Sequence, residues 1–150
     1  MNFYTTSTFR ESLSTLLKKR KDGYRTVVDD ICSALHEMPL NILRDTNERI
    51  IQTPLFRIVK YRLPNTGQKL SKANGFRLIY YVSLVTDDVV LLRIYPKRGP
   101  HGVVDLLDAE YLRLINELTQ ENLANTLHQV DITNALAELS LTASLSIESK

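Results

Sequence analysis

The sequence predicts an α+β domain in the order β-α-α-β-β-β, an antiparallel sheet packed on a helical hairpin, followed by a C-terminal helical extension. Three observations carry this. Apolar residues recur at helical spacing on both sides of an Asp22-Gly23 break. The pattern then changes to strand-forming runs between residues 55 and 95. Those runs are separated by short turn signals, which join antiparallel neighbours rather than parallel ones.

Asn2 to Thr5 reads as a short strand leading into a helix. Thr8-Phe9-Arg10-Glu11 has the form of a capping box, in which Thr8 and Glu11 would satisfy the first free amides. Phe9, Leu13, Leu16 and Leu17 give that helix its apolar stripe, and Lys18 to Lys21 place cations at its negative end. After Asp22-Gly23, a second stripe of Val27, Val28, Ile31, Leu35 and Met38 runs to Pro39, completing a helical hairpin. Residues 40–53 carry mixed charge and no clear period.

Leu55 to Leu63, Gly75 to Val85 and Val89 to Tyr95 read as three strands, joined at Pro64-Asn65-Thr66-Gly67 and Thr86-Asp87-Asp88. The hairpin is expected to cover one face of this meander. A helix is expected from Leu106 to Leu118 and another from Glu121 to Leu139, with a frayed end from Ser140 to Lys150. The domain division is accordingly 1–118 for the main module and 119–150 for an acidic extension.

The 150 residues hold 19 Lys+Arg and 17 Asp+Glu, but the signs are segregated. Residues 1–101 carry 17 basic and 9 acidic side chains, and residues 102–150 carry 2 and 8. Such asymmetry points to a basic functional face and an acidic appendage. That appendage could pack as an extra helix, fold over the basic face, or mediate self-association. One cysteine, Cys32, leaves no intramolecular disulfide and points to a reducing compartment. No apolar run approaches the roughly 18 residues of a membrane span, and no signal peptide is apparent, so a cytoplasmic location without membrane contact is expected. No metal site or cofactor is expected, because no two histidines have ligand spacing and there is no Gly-rich phosphate loop.

Strand alternation puts Phe56, Ile58, Lys60 and Arg62 on one face of the first meander strand. Arg77 lies on the neighbouring strand, Lys69 and Lys72 in the loop between them, and Lys97 and Arg98 just beyond the third strand. From Phe56 to Arg98 the only acids are Asp87 and Asp88, at a distal turn. A fixed frame of Arg forks and Lys charges suits phosphate, and Tyr61, Tyr80, Tyr81 and Tyr95 are available for base stacking. The plain alternative is a solvated sheet edge with scattered cations. His36 and Cys32 on the second helix read as structural, and His128 as a surface residue.

Three segments in order resemble the RelE/ParE superfamily of bacterial type II toxin–antitoxin modules. They are Arg57-Ile58-Val59-Lys60-Tyr61-Arg62-Leu63, then Lys72-Ala73-Asn74-Gly75-Phe76-Arg77-Leu78-Ile79-Tyr80-Tyr81, then Val90-Leu91-Leu92-Arg93-Ile94-Tyr95-Pro96-Lys97. The resemblance covers about residues 3–118. It implies a ribosome-dependent mRNA endonuclease, or mRNA interferase, in which the ribose 2′-OH attacks the adjacent phosphorus without a metal. Lys60 and Arg62 would flank the 2′-OH and the scissile phosphate, while Arg77 and Arg98 stabilise its charge. A Lys60 surrounded by cations would serve as the base. Lys69, Lys72, Lys97 and His101 would bind substrate. The implied partners are a cognate antitoxin protein and mRNA on the ribosome. A tyrosine that RelE-like members place past the final arginine has no counterpart in Gly99-Pro100-His101-Gly102-Val103-Val104. His101 there is either a proton shuttle, a stacking group or a loop residue. The same resemblance allows a ParE-like toxin that inhibits DNA gyrase, or a non-catalytic member that only binds a partner.

Overall fold

The chain is α+β in the computed structural model, which describes residues 1–36, 38–46 and 48–131. Strand β1 (Asn2–Thr5) leads into helix α1 (Ser7–Lys18), and α2 (Val27–Leu35) and a short α3 (Leu40–Arg44) follow. Then come β2 (Arg49–Gln52), β3 (Phe56–Leu63), β4 (Phe76–Ser83) and β5 (Asp88–Pro96), and finally α4 (Asp108–Ala124) and β6 (His128–Val130). The strands form one sheet in the order β2-β3-β4-β5-β1-β6. From β2 to β5 every pairing is antiparallel, β1 lies parallel to β5, and β6 runs antiparallel to β1.

The helical hairpin covers one face of the sheet, as its stripes require. Phe9, Leu13 and Leu16 of α1 and Val27, Ile31 and Leu35 of α2 pack on Val59, Leu63, Leu78, Tyr80 and Leu91. The other face is covered by α4, whose Tyr111, Leu114 and Leu118 recur at helical spacing and pack on Ile58, Ile79, Val90, Leu92 and Tyr95. Burial on both faces makes β4 the least accessible strand, with an unbroken apolar run apart from Arg77 and Ser83.

A bulge in β5 sets the α4 face. Ile79 is opposite Arg93 but Tyr80 is opposite Leu91, which leaves Leu92 as an extra residue. The alternation resets there, so Arg93 and Tyr95 join Leu92 on the α4 side. The amide of Ile94 donates to Ser12 Oγ of α1 at 3.1 Å. Past the end of β1, helix α1 thus caps the sheet edge.

Three sequence expectations differ from the fold. The first concerns the start of α1. Its N-cap is Thr6, whose Oγ1 accepts from the Phe9 amide at 3.3 Å. Thr8 lies inside the first turn and Glu11 is exposed. The carboxylates that satisfy this end come from α4. Glu117 accepts from the Thr8 amide at 3.1 Å and from Thr8 Oγ1 at 2.6 Å, and Glu121 accepts from the Ser7 amide at 3.2 Å. Second, the segment without a clear period contains α3 and the edge strand β2, which contact rather than period defines. Third, α4 runs through residue 118 without a break and ends at Asn125, whose left-handed conformation (φ 58°) turns the chain into β6. The helix expected over 121–139 is therefore replaced up to residue 131. The rest of that expectation, and the frayed end, lie outside the described residues.

Replacing Glu117 with Ala is expected to lower unfolding free energy by about 1–2 kcal/mol, because it orphans a first-turn amide and a hydroxyl. Glu11→Ala should change it by less than about 0.5 kcal/mol, as for other exposed sites. Urea midpoints of the two variants check the assignment of the cap.

Candidate functional site

The cations predicted from the sequence gather at one end of the sheet, where β3 ends, β4 begins and β5 leaves. Arg62 stands opposite Arg77, and Lys60 opposite Ile79, all on the α4 face. The loops at that end carry Lys69, Lys72, Lys97, Arg98 and His101. The set is divided, however, because these loops are fastened to the hairpin. Buried Asp30 accepts from Thr26 Oγ1 at 2.8 Å, from Thr66 Oγ1 at 2.7 Å and from the Thr66 amide at 3.2 Å. Asn65 Nδ2 donates to the Gly23 carbonyl at 2.8 Å. Tyr24 holds the other loop: its hydroxyl donates to the Arg98 carbonyl at 3.2 Å and accepts from the His101 amide at 3.0 Å. His101 faces this side too, with Nε2 3.2 Å from Asp22 and its ring 6.0 Å from that of Tyr24.

Arg77 is 5% exposed, and its guanidinium donates to the carbonyls of Lys72 (2.8 Å), Ala73 (2.8 Å) and Phe76 (3.1 Å). Burial, and then the adjacent Arg62 charge, lower its pKa from the ordinary arginine value. In this arrangement Arg77 clamps the loop before β4. That loop must come close to β3, since a Cβ at Gly75 would lie 2.1 Å from the Leu63 carbonyl oxygen. The clamp reaches Arg98 as well, because Asn74 Oδ1 accepts from Arg98 Nε at 3.0 Å. Lys97 Nζ donates to the Val104 carbonyl at 2.8 Å. Lys69 and Lys72 are exposed.

Lys60 is surrounded differently from the expectation. Its Nζ is 3.5 Å from Glu48 Oε2 and 3.5 Å from Asp105 Oδ1, and Glu48 Oε1 accepts from Arg62 Nε. The nearest charges are therefore carboxylates, and the premise of a lysine crowded by cations does not hold. Arg93, which the sequence did not single out, pairs with Glu110 of α4 at 2.9 Å and lies 5.6 Å from the ring centre of Tyr95. Glu48 and Asp105 were missed because they come from the aperiodic segment before β2 and from the loop before α4. Both lie outside the acid-poor span from Phe56 to Arg98. The only available signal was the Arg49-Ile50-Ile51 run beside Glu48, which has strand-forming character.

The tyrosines do not form a stacking platform. Tyr61 and Tyr80 lie on the hairpin face, their rings 6.1 Å apart, and Tyr80 Oη donates to the Leu43 carbonyl at 2.7 Å. Tyr81 packs on Phe56 on the other face, 5.4 Å between ring centres. Tyr95 and Tyr111 are buried in the core on the α4 face, where the two phenols interact with each other. His36 is exposed at the end of α2, and Cys32 is half-buried, its thiol pushed up to about 11 by burial and then by Asp29. His128 lies in β6 and is exposed. Among the described residues no three His, Cys, Asp or Glu side chains group as metal ligands, and no helix is long and apolar enough to cross a membrane. A groove of about 690 Å³ opens at the opposite end of the α4 face, lined by Phe56, Tyr81, Val90 and Leu118 among others, and holds none of the predicted site residues.

No family model, no curated protein and no solved structure matches the chain.

Two measurements probe this end of the sheet. Arg77→Lys should lose most of the three-carbonyl clamp, lowering stability by about 1–3 kcal/mol and speeding tryptic cleavage after Lys72. Burial pushes the phenols of Tyr80 and Tyr95 up, and that of Tyr111 up to about 12. The unfolded phenol titrates near pH 10, so the folded chain holds these protons longer. The stability they contribute is complete below about pH 10 and is lost as pH rises through the folded values. In an alkaline titration, phenolate absorbance from these three tyrosines should rise only together with loss of far-ultraviolet circular dichroism.

Proposed function

We propose that the chain is a RelE-like toxin, an endoribonuclease that cleaves mRNA on the ribosome and is held in check by an antitoxin protein. One observation carries this reading: Arg62 and Arg77 face each other across two strands with Lys60 beside them, at the end of the sheet where loops bring Arg98, Lys97, Lys69 and Lys72. The order of strand, helical hairpin and antiparallel meander agrees with what the family resemblance implies. In the reaction, the 2′-hydroxyl gives up its proton to solvent and its oxygen forms a bond to phosphorus as the bond to the 5′-oxygen breaks and that oxygen takes a proton from solvent. The products are a 2′,3′-cyclic phosphate and a 5′-hydroxyl. The chain would supply positive charge for the phosphorane oxygens. Arg62, with half its side chain exposed, presents a guanidinium that stays protonated and suits two phosphate oxygens. Arg98, next to Lys97 in sequence, is exposed, and Lys60 adds a charge on the sheet face. Arg77 acts through the loop it holds, keeping Asn74 against Arg98.

A second reading, a member that binds a partner without cleaving RNA, draws support from the engaged donors of Arg77 and from the turn of His101 towards Asp22.

Induced expression in a bacterial host separates these readings. Wild type should arrest growth and create new 5′-hydroxyl ends within translated mRNA. Arg62→Ala and Arg98→Ala, folded by circular dichroism, should each reduce those ends by about 100-fold or more. Arrest with DNA damage and intact mRNA would point instead to gyrase inhibition. Absence of both lesions would favour the binding member.

A further inference from the structure

Glu48 and Asp105 stand where an anionic ligand of this face would stand. The two oxygens of Glu48 divide between neighbouring cations, Oε1 to Arg62 Nε and Oε2 to Lys60 Nζ. This bridging imitates the way two non-ester oxygens of one phosphate engage adjacent donors. Asp105 meets Lys60 from another segment. Both residues are anchored: the Glu48 backbone carbonyl accepts from the Lys60 amide at 2.9 Å, and the Asp105 carboxylate Oδ1 accepts from the Leu106 amide at 2.9 Å. Neither is sealed in, since a quarter of the Glu48 side chain and 61% of that of Asp105 are exposed. The contacts of Asp105 and of the half-exposed Arg62 reach water and can be exchanged, whereas the Lys60–Glu48 pair, 17% and 25% exposed, is more enclosed.

We propose that Glu48 and Asp105 are internal occupants of the phosphate positions on this face, displaced when an RNA backbone binds. The inference rests on the endoribonuclease reading and adds a selection rule to it. A free polyanion must displace two tethered carboxylates before it can engage Lys60 and Arg62, so it binds poorly. A strand already held by another surface, as mRNA is held by the ribosome, meets the same competition at high effective concentration and overcomes it.

The test uses a single-stranded 2′-O-methyl RNA, which lacks the attacking hydroxyl, and binding is read by fluorescence anisotropy at low salt. E48Q and D105N should each bind about 2- to 5-fold more tightly than wild type, and the double variant on the order of 10-fold. The slope of log affinity against log salt should steepen by about 0.7 for each further phosphate that the variant neutralises. D87N removes the same charge from the distal turn and should stay within about 2-fold of wild type. If wild type binds and the two site variants bind no more tightly than D87N, the carboxylates are not occupants and the inference falls while the nuclease reading stands. If none of the proteins, the double variant included, binds RNA at low salt, the inference falls, and the nuclease reading is decided separately by the new 5′-hydroxyl ends in induced cells.

Discussion

The start of α1 is the junction on which the rest of the structure depends. Thr5 and Thr6 are fully buried, so the chain passes from the sheet interior into a helix with little room for water to satisfy the first amides. Glu117 and Glu121 stand one helical turn apart on α4, and they meet the amides of Thr8 and Ser7. Arg10, nearly buried, holds Thr5 and Ser7 from below, and both glutamates act on its charge. Because α1 covers one face of the sheet and α4 the other, this polar junction ties the two layers together around β1. It also sets the rotation of α4. Once Glu117 and Glu121 reach α1, Tyr111, Leu114 and Leu118 face the sheet and Glu110 reaches Arg93.

The segregated charge of the sequence takes a different meaning in the folded chain. Four of the six described acids after residue 101 reach back to the basic part of the chain. Asp105 meets Lys60, Glu110 meets Arg93, and Glu117 and Glu121 meet the positive end of α1. These four are counter-charges of the basic part, distributed along one helix and the loop before it. The basic end of the sheet is therefore less positive than a count over Phe56 to Arg98 implies.

The meander and the helical hairpin were legible because their information is local: apolar residues at a fixed period, ended by Gly, Pro and Asp. The failures were at places where a distant partner decides. Thr8 and Glu11 have the spacing of a cap, yet Thr6 caps the helix and Glu117, 109 residues away, takes the Thr8 amide. Strand β2 is four residues long and shows no alternation, so only β3 gives it a structure. The bulge at Leu92 leaves no mark in a run of aliphatic residues. For the site, cation identity and strand register could be read from spacing, and they brought Lys60, Arg62 and Arg77 to one face. Which cations are free could not, because the carboxylates and carbonyls that engage them lie on other segments.

The position of β1 bears on how the molecule comes into being. Its neighbours are β5, some 86 residues downstream at Asn2 and Asp88, and β6, further still. The strand made first is thus the one that must wait longest for its partners. The meander can assemble from adjacent segments, but the sheet closes around β1 only after residue 128 has been made. Pairings this remote in sequence slow folding. The six-stranded sheet therefore needs the chain through β6, and a product terminated before α4 would lack the junction that joins the two helical layers.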